Sequence, residues 1–155
     1  MQEINLTQFL DIRNNTIFGF DRFINGQVLK DIIAKNPDAL YVIGDERTKK
    51  IAMGAFDYVF NEDNFNIKNI KIHHKIATLE NMAIMHSRSL QNVYFDSPNL
   101  ALPNTFCYDF SSGNPINFHF HPENKPNYLV LVSIVDYGHS VSHPAVQRQQ
   151  TPTGA

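Results

Sequence analysis

The sequence is poor in cysteine, in tryptophan and in long apolar runs. One cysteine among 155 residues cannot form a disulfide within the chain, which excludes the disulfide-stapled class of small secreted proteins. No apolar run approaches the roughly 18 residues that a membrane-spanning helix needs. The opening MQEINLTQFLDIRNN lacks the basic and apolar regions of a cleavable signal peptide. We therefore expect a soluble cytoplasmic protein, or one secreted without such a peptide, with no membrane partner.

The sequence also lacks an excess of charge of either sign. The net charge of −2 leaves no broad basic field that could hold phosphate backbones, so we expect no nucleic-acid partner. The basic stretch 68–75 is short and is interpreted as the solvated face of a strand. The apolar fraction of 43% is typical of a folded globular chain, and the 12 phenylalanines and 6 tyrosines favour a β-rich core.

Hydrophobic periodicity predicts an α+β fold. Apolar residues at helical spacing predict three helices, at 4–12, 19–37 and 78–90. Alternating or continuous apolar runs predict strands at 39–44, 50–60, 67–76, 92–95, 105–110, 116–121 and 128–137. No internal repeat is evident. We expect a single domain over 1–138, with N-terminal helices followed by a mainly antiparallel sheet and one further helix, and a polar tail or linker over 139–155.

The segment NTFCYDFSSGNPINFHFHP, residues 104–122, has the composition of a β-hairpin closed by SSGNP. If the strands meet directly around that turn, Phe110 lies opposite Ile116 and the aromatic residues share one face. A shift of one residue would turn the phenylalanines toward water, which favours this register.

The other face of the predicted hairpin carries the polar residues. There Cys107 lies opposite His119 and Thr105 opposite His121, at Cβ separations of about 4.5–5.5 Å. Asp109 is a diagonal neighbour of His119. An imidazole beside a thiol favours the reactive thiolate, so Cys107 is a candidate nucleophile and His119 its base, with Asp109 or Thr105 orienting the ring.

This arrangement resembles the Cys–His site of bacterial glutamine deamidases of the cytotoxic-necrotizing-factor and chemotaxis-receptor-deamidase type, over residues 102–121. The resemblance implies a cysteine-dependent amide hydrolase without a cofactor, with Cys107 as nucleophile and His119 as base. It also implies a protein substrate or partner and a bacterial effector or toxin domain. The order Cys107, His121, Asp136 resembles papain-like effector deamidases as well.

Two alternatives stay open. His119-Phe-His121-Pro, followed by Ser133-x-x-Asp136, resembles the JAMM metalloproteases, which implies zinc held by His119, His121 and Asp136 in a metal-binding hydrolase. The second alternative is a non-catalytic binding or immunity-type module, in which Cys107 is an inert structural residue.

Overall fold

The computed structural model describes residues 1–104 and 115–143. This part of the chain contains a short 3-10 helix at Thr7–Phe9, two α-helices and ten strands. The helices are α1 (Gly26–Lys35) and α2 (Tyr128–Asp136). The strands are β1 (Glu3–Asn5), β2 (Leu10–Arg13), β3 (Thr16–Phe20), β4 (Leu40–Ile43), β5 (Lys50–Ile51), β6 (Asn69–Ile72), β7 (Thr78–Leu79), β8 (Asn92–Phe95), β9 (Asn117–Phe120) and β10 (Ser140–Ser142).

The strands form two sheets that the chain visits in turn. The six-stranded sheet has the order β1-β4-β6-β8-β9-β10, and every neighbouring pair in it is parallel. The four-stranded sheet has the order β2-β3-β5-β7 and is parallel except at β2–β3. From β4 to β8 the chain alternates between the sheets, adding one strand to each per turn. The result is a coil that resembles a parallel β-solenoid.

The predicted fold class is therefore wrong. We expected N-terminal helices followed by an antiparallel sheet, and the structure has short parallel strands with two helices. Segment 4–12 holds β1, the 3-10 helix and β2 instead of a helix, and segment 78–90 begins with β7 and continues as turns. Tight turns that wrap a core place apolar side chains inward every three or four residues, which imitates helical spacing.

The coil is also an internal repeat that the sequence does not reveal. Leu40, Asn69, Asn92 and Asn117 lie side by side in the six-stranded sheet, at intervals of 29, 23 and 25 residues. Between the sheets, backbone hydrogen bonds join successive turns, for example from Phe56 N–H to the Ala83 carbonyl at 2.7 Å. Unequal turn lengths conceal such a repeat, because no single period aligns the apolar positions.

The core consists of side chains stacked in register along the coil. One inward column of the six-stranded sheet contains Tyr41, Ile70, Val93, Phe118 and Val141, all buried. In the next column Phe95 contacts Phe120, with ring centroids 5.0 Å apart. Full burial of such side chains stabilises the fold by about 1.5–3 kcal/mol each, so the stacking holds the sheet together.

Each α-helix is a crossover into a strand of the six-stranded sheet. α1 precedes β4 and lies within the predicted segment 19–37, with Leu29 and Ile33 buried. α2 precedes β10. The strand predicted at 128–137 is wrong, because this segment forms α2. β10 pairs with β9, so the sheet continues past residue 138, the predicted end of the domain.

Candidate functional site

β9, which contains His119, has a neighbouring strand along each of its two edges. Asn117, Phe118 and His119 pair in parallel with β8 on one side and with β10 on the other. Both hydrogen-bonding edges of this part of β9 are thus occupied, whereas the strand predicted at 105–110, which sets Cys107 against His119, lies outside the described residues, so that pairing stays a prediction. Thr105, Cys107 and Asp109 lie outside the described residues.

His119 belongs to a polar ladder on the outer face of the six-stranded sheet. Asn92 Nδ2 donates a hydrogen bond to Asn69 Oδ1 at 2.9 Å, and His119 Nε2 lies 2.9 Å from Asn92 Oδ1. The ring stacks on Tyr94 with centroids 4.2 Å apart. Burial lowers the pKa of His119, which keeps the ring neutral at neutral pH. Because the Asn92 oxygen accepts, His119 Nε2 is the donor, and these contacts tie the ring to β8.

The three residues of the alternative zinc site are not brought together. His119 faces Asn92, His121 Nδ1 accepts from the backbone N–H of Glu123 at 3.1 Å, and Asp136 lies in the last turn of α2. Among the described residues, a different group could hold a metal ion. Glu46, His73 and His74 each place one possible ligand atom within 4.8 Å of the other two.

Sequence reasoning missed this group of Glu46, His73 and His74, which follows two neighbouring strands. Glu46 lies beyond the end of β4, and the histidines come directly after β6. The His73 and His74 ring centroids are 4.1 Å apart. Burial, followed by the neighbouring His74, lowers the pKa of His73. The pair His73-His74 was visible in the sequence, but only the parallel register brings Glu46 beside it.

A further polar contact connects two successive turns of the coil, in the segments that follow β5 and β7. His86 Nδ1 lies 2.8 Å from Asp57 Oδ1, and the His86 ring stacks on Tyr58 with centroids 4.0 Å apart. Both Tyr58 and His86 have positive φ, a conformation that costs free energy outside glycine and asparagine. The hydrogen bond and the ring stack offset that cost and fix the two turns relative to each other.

The outer face of α2 is an exposed apolar surface. Val130 and Ile134 are buried, whereas Tyr128, Leu129 and Val135 have 75%, 55% and 50% of their surface exposed. We missed this face because a mostly apolar run is also typical of a buried strand. The signal for a helix is Asn127, whose side chain accepts from the Leu129 N–H at 2.8 Å and caps the helix.

No helix of the described residues combines the length and the apolar character that a membrane span requires. Comparison of the chain with protein-family models, with curated proteins and with solved structures gives no match.

Proposed function

We propose that this chain is a non-catalytic protein-binding module and that α2 inserts into an apolar groove of a partner protein. The observation that carries the proposal is the apolar stripe of Tyr128, Val132 and Val135, spaced as i, i+4 and i+7, in which Tyr128 and Val135 are exposed and Val132 is half-buried. This spacing places three side chains on one side of a helix, which is how helices dock into grooves.

The solenoid supplies a fixed base for that helix. Val130 and Ile134 anchor α2 to the core from the side opposite the stripe, and Asn127 caps its first turn. A helix that is already formed and anchored loses little conformational entropy on docking, which favours affinity. Solenoid-type folds use such rigid surfaces for binding.

The composition of α2 favours a protein over a lipid surface. Helices that lie on membranes carry lysine and arginine on their polar face, and YLVLVSIVD contains neither. Tyr128 begins the stripe and has 75% of its surface exposed. Tyrosine is enriched at protein interfaces, where its ring packs and its hydroxyl forms a hydrogen bond.

Site-specific photo-crosslinking tests the proposal. A photoreactive phenylalanine analogue is placed at Val135 in α2 or, as a matched control, at Val28 in α1, which is exposed to a similar degree at 47%. We expect the α2 probe to crosslink one defined protein in the cells that make this chain, at apolar residues that line a groove. The α1 probe should not crosslink that protein.

Three outcomes would contradict the proposal. The first is crosslinking of the same protein from both positions. The second is a crosslink between two copies of this chain, which would make α2 a self-association surface. The third is binding of the purified chain to phospholipid vesicles that is lost in Val135→Glu, which would make the helix a lipid anchor.

A further inference from the structure

The loops after β4 and β6 meet at one end of the six-stranded sheet. Ile43 and Ile72 are in register, so Gly44 lies beside His73 as both chains leave the sheet. Burial leaves His73 with 16% of its side chain exposed, while Glu46 and His74 are open to solvent. The cluster is thus accessible from one side and supported by the sheet on the other.

The ligand atoms have the separations of a transition-metal site. Glu46 Oε1 lies 3.4 Å from His74 Nε2 and 3.8 Å from His73 Nε2. With metal–ligand bonds of about 2.0–2.2 Å, two ligand atoms of a tetrahedral site are roughly 3.3–3.6 Å apart. Small side-chain rotations would therefore bring all three atoms onto one ion.

Close packing and hydrogen bonds fix the backbone around the cluster. Gly44 has a φ of +104°, and a Cβ there would lie 2.7 Å from Ile76 Cδ1, 2.8 Å from Thr48 Oγ1 and 3.0 Å from the His73 Cβ, so glycine permits the close approach of the two loops at this point. The loop that carries Glu46 is fixed by hydrogen bonds from Asp45 N–H to Thr48 Oγ1 and from Arg47 N–H to Asp45 Oδ1, both at 2.9 Å. Such support preorganises a ligand set.

We propose that Glu46, His73 and His74 bind one divalent transition-metal ion of the zinc class, with solvent completing the coordination. Two imidazoles and a carboxylate are ligands that zinc prefers. The carboxylates of Asp45 and Asp96 lie near enough to act electrostatically on His73 and add negative charge around the cation. This site is separate from the α2 surface of the proposed function.

Two contacts of the metal-free site must change when the ion binds. His73 Nδ1 accepts the backbone N–H of Lys75 at 3.1 Å, so the neutral ring carries its proton on Nε2. Coordination through Nε2 moves that proton to Nδ1 and breaks this hydrogen bond. The Lys75 ammonium, 3.8 Å from Glu46 Oε2, also competes with the ion for the carboxylate.

Calorimetric titration of the full chain with zinc chloride tests the proposal. We expect one ion per chain, and affinity at least about tenfold weaker in Glu46→Gln and in His74→Gln. Lys75→Gln should bind zinc more tightly, because it removes the competing cation. Cys107→Ser and His121→Gln are controls for other zinc ligands and should leave the affinity unchanged. Circular dichroism checks that each variant is folded.

An amide NMR spectrum supplies an independent readout. Zinc should shift the Lys75 amide resonance and reduce its protection from hydrogen exchange, because the acceptor on His73 is lost. Absence of zinc uptake would overturn the proposal, as would an affinity that survives Glu46→Gln and His74→Gln but falls in either control variant. A bound ion that leaves the Lys75 amide unchanged would exclude coordination through His73 Nε2.

Discussion

The two α-helices each lead into a strand of the six-stranded sheet, α1 from β3 of the other sheet and α2 from β9 of the same sheet, and they differ in their outer faces. Each is a crossover into a parallel strand of the six-stranded sheet, each begins with an asparagine cap, and each buries two aliphatic residues at i and i+4. The outer face of α1 is mostly polar, and Gln27 Nε2 donates to Asp31 Oδ1 at 2.8 Å across one turn. The outer face of α2 is apolar.

This difference shows that the residues that attach a helix to the core are distinct from those that it exposes to solvent. Attachment to the core depends on the buried pair and on the cap, which are matched in the two helices. The outer residues contribute little to folding, so an apolar outer face needs another explanation than stability. Exposed apolar patches of this kind mark interaction sites, and that is why we propose a binding role for α2 and not for α1.

The largest expected effect tests whether the anchors are equivalent. Leu29→Ala in α1 and Ile134→Ala in α2 each remove a fully buried side chain, and each should lower the free energy of unfolding by about 2–5 kcal/mol. Urea unfolding of both variants measures this directly. If Ile134→Ala costs under about 1 kcal/mol, α2 is attached more loosely than α1 and the comparison fails.

The caps should have smaller and equal effects. The Asn25 side chain accepts from the Gln27 N–H at 3.0 Å, and Asn127 makes the same contact with Leu129 at 2.8 Å. Replacement of either by alanine should cost about 1 kcal/mol, because one N–H of the first turn loses its acceptor. Thermal unfolding of the pair should give similar shifts, and an effect in only one helix would show that the caps are not matched.

Acid should weaken the α2 end through His139. Burial lowers the pKa of this residue, whose Nδ1 accepts the Ile116 N–H at 2.9 Å. The folded pKa lies below the unfolded value of about 6.5, so the unfolded state binds the proton more readily. The stability is therefore complete above that value and is lost as the pH falls through the folded pKa.

The measurement for His139 is the urea midpoint between pH 7.5 and 5. His139→Gln keeps an acceptor for the Ile116 N–H and cannot titrate, so the variant should lose less stability than the wild type on acidification. Other titrating groups are common to both chains and cancel in the difference. Identical pH profiles would contradict a titrating role for His139.

The smallest expected effect is on the exposed residues of the two helices. Val28→Glu and Val135→Glu change side chains of similar exposure, so each should alter the free energy of unfolding by less than about 0.5 kcal/mol. Urea unfolding is again the measurement. A loss of several kcal/mol for Val135→Glu would mean that the outer face of α2 is part of the fold and not a free surface.

The sequence reveals individual helices and strands better than it reveals which strands pair with each other. A helix within 19–37 was predicted, although it begins only at Gly26, and the segments of β4 and β8 were predicted as strands, because period and turn residues are local signals. Alternation shows which side chains share a face but not which strand lies beside them. Parallel pairing over intervals of 23 to 29 residues is therefore not visible in the sequence.

The same limit explains the site predictions. Setting Cys107 against His119 required 105–110 as the antiparallel partner of β9, whereas the described neighbours of β9 are β8 and β10, both parallel and both distant in the sequence. Glu46 and the pair His73-His74 were not associated because their contact depends on the register of β4 with β6. The α2 surface was missed because a fully apolar run gives no period that separates a helix from a strand.

The most direct test of the account is the affinity of the crosslinked partner, once purified, for two matched variants. We predict that Val135→Glu binds at least about tenfold more weakly than the wild type, because it places a charge in an apolar groove. Val28→Glu should bind as the wild type does. Equal affinity of the two variants would contradict the claim that the outer face of α2 is the binding surface.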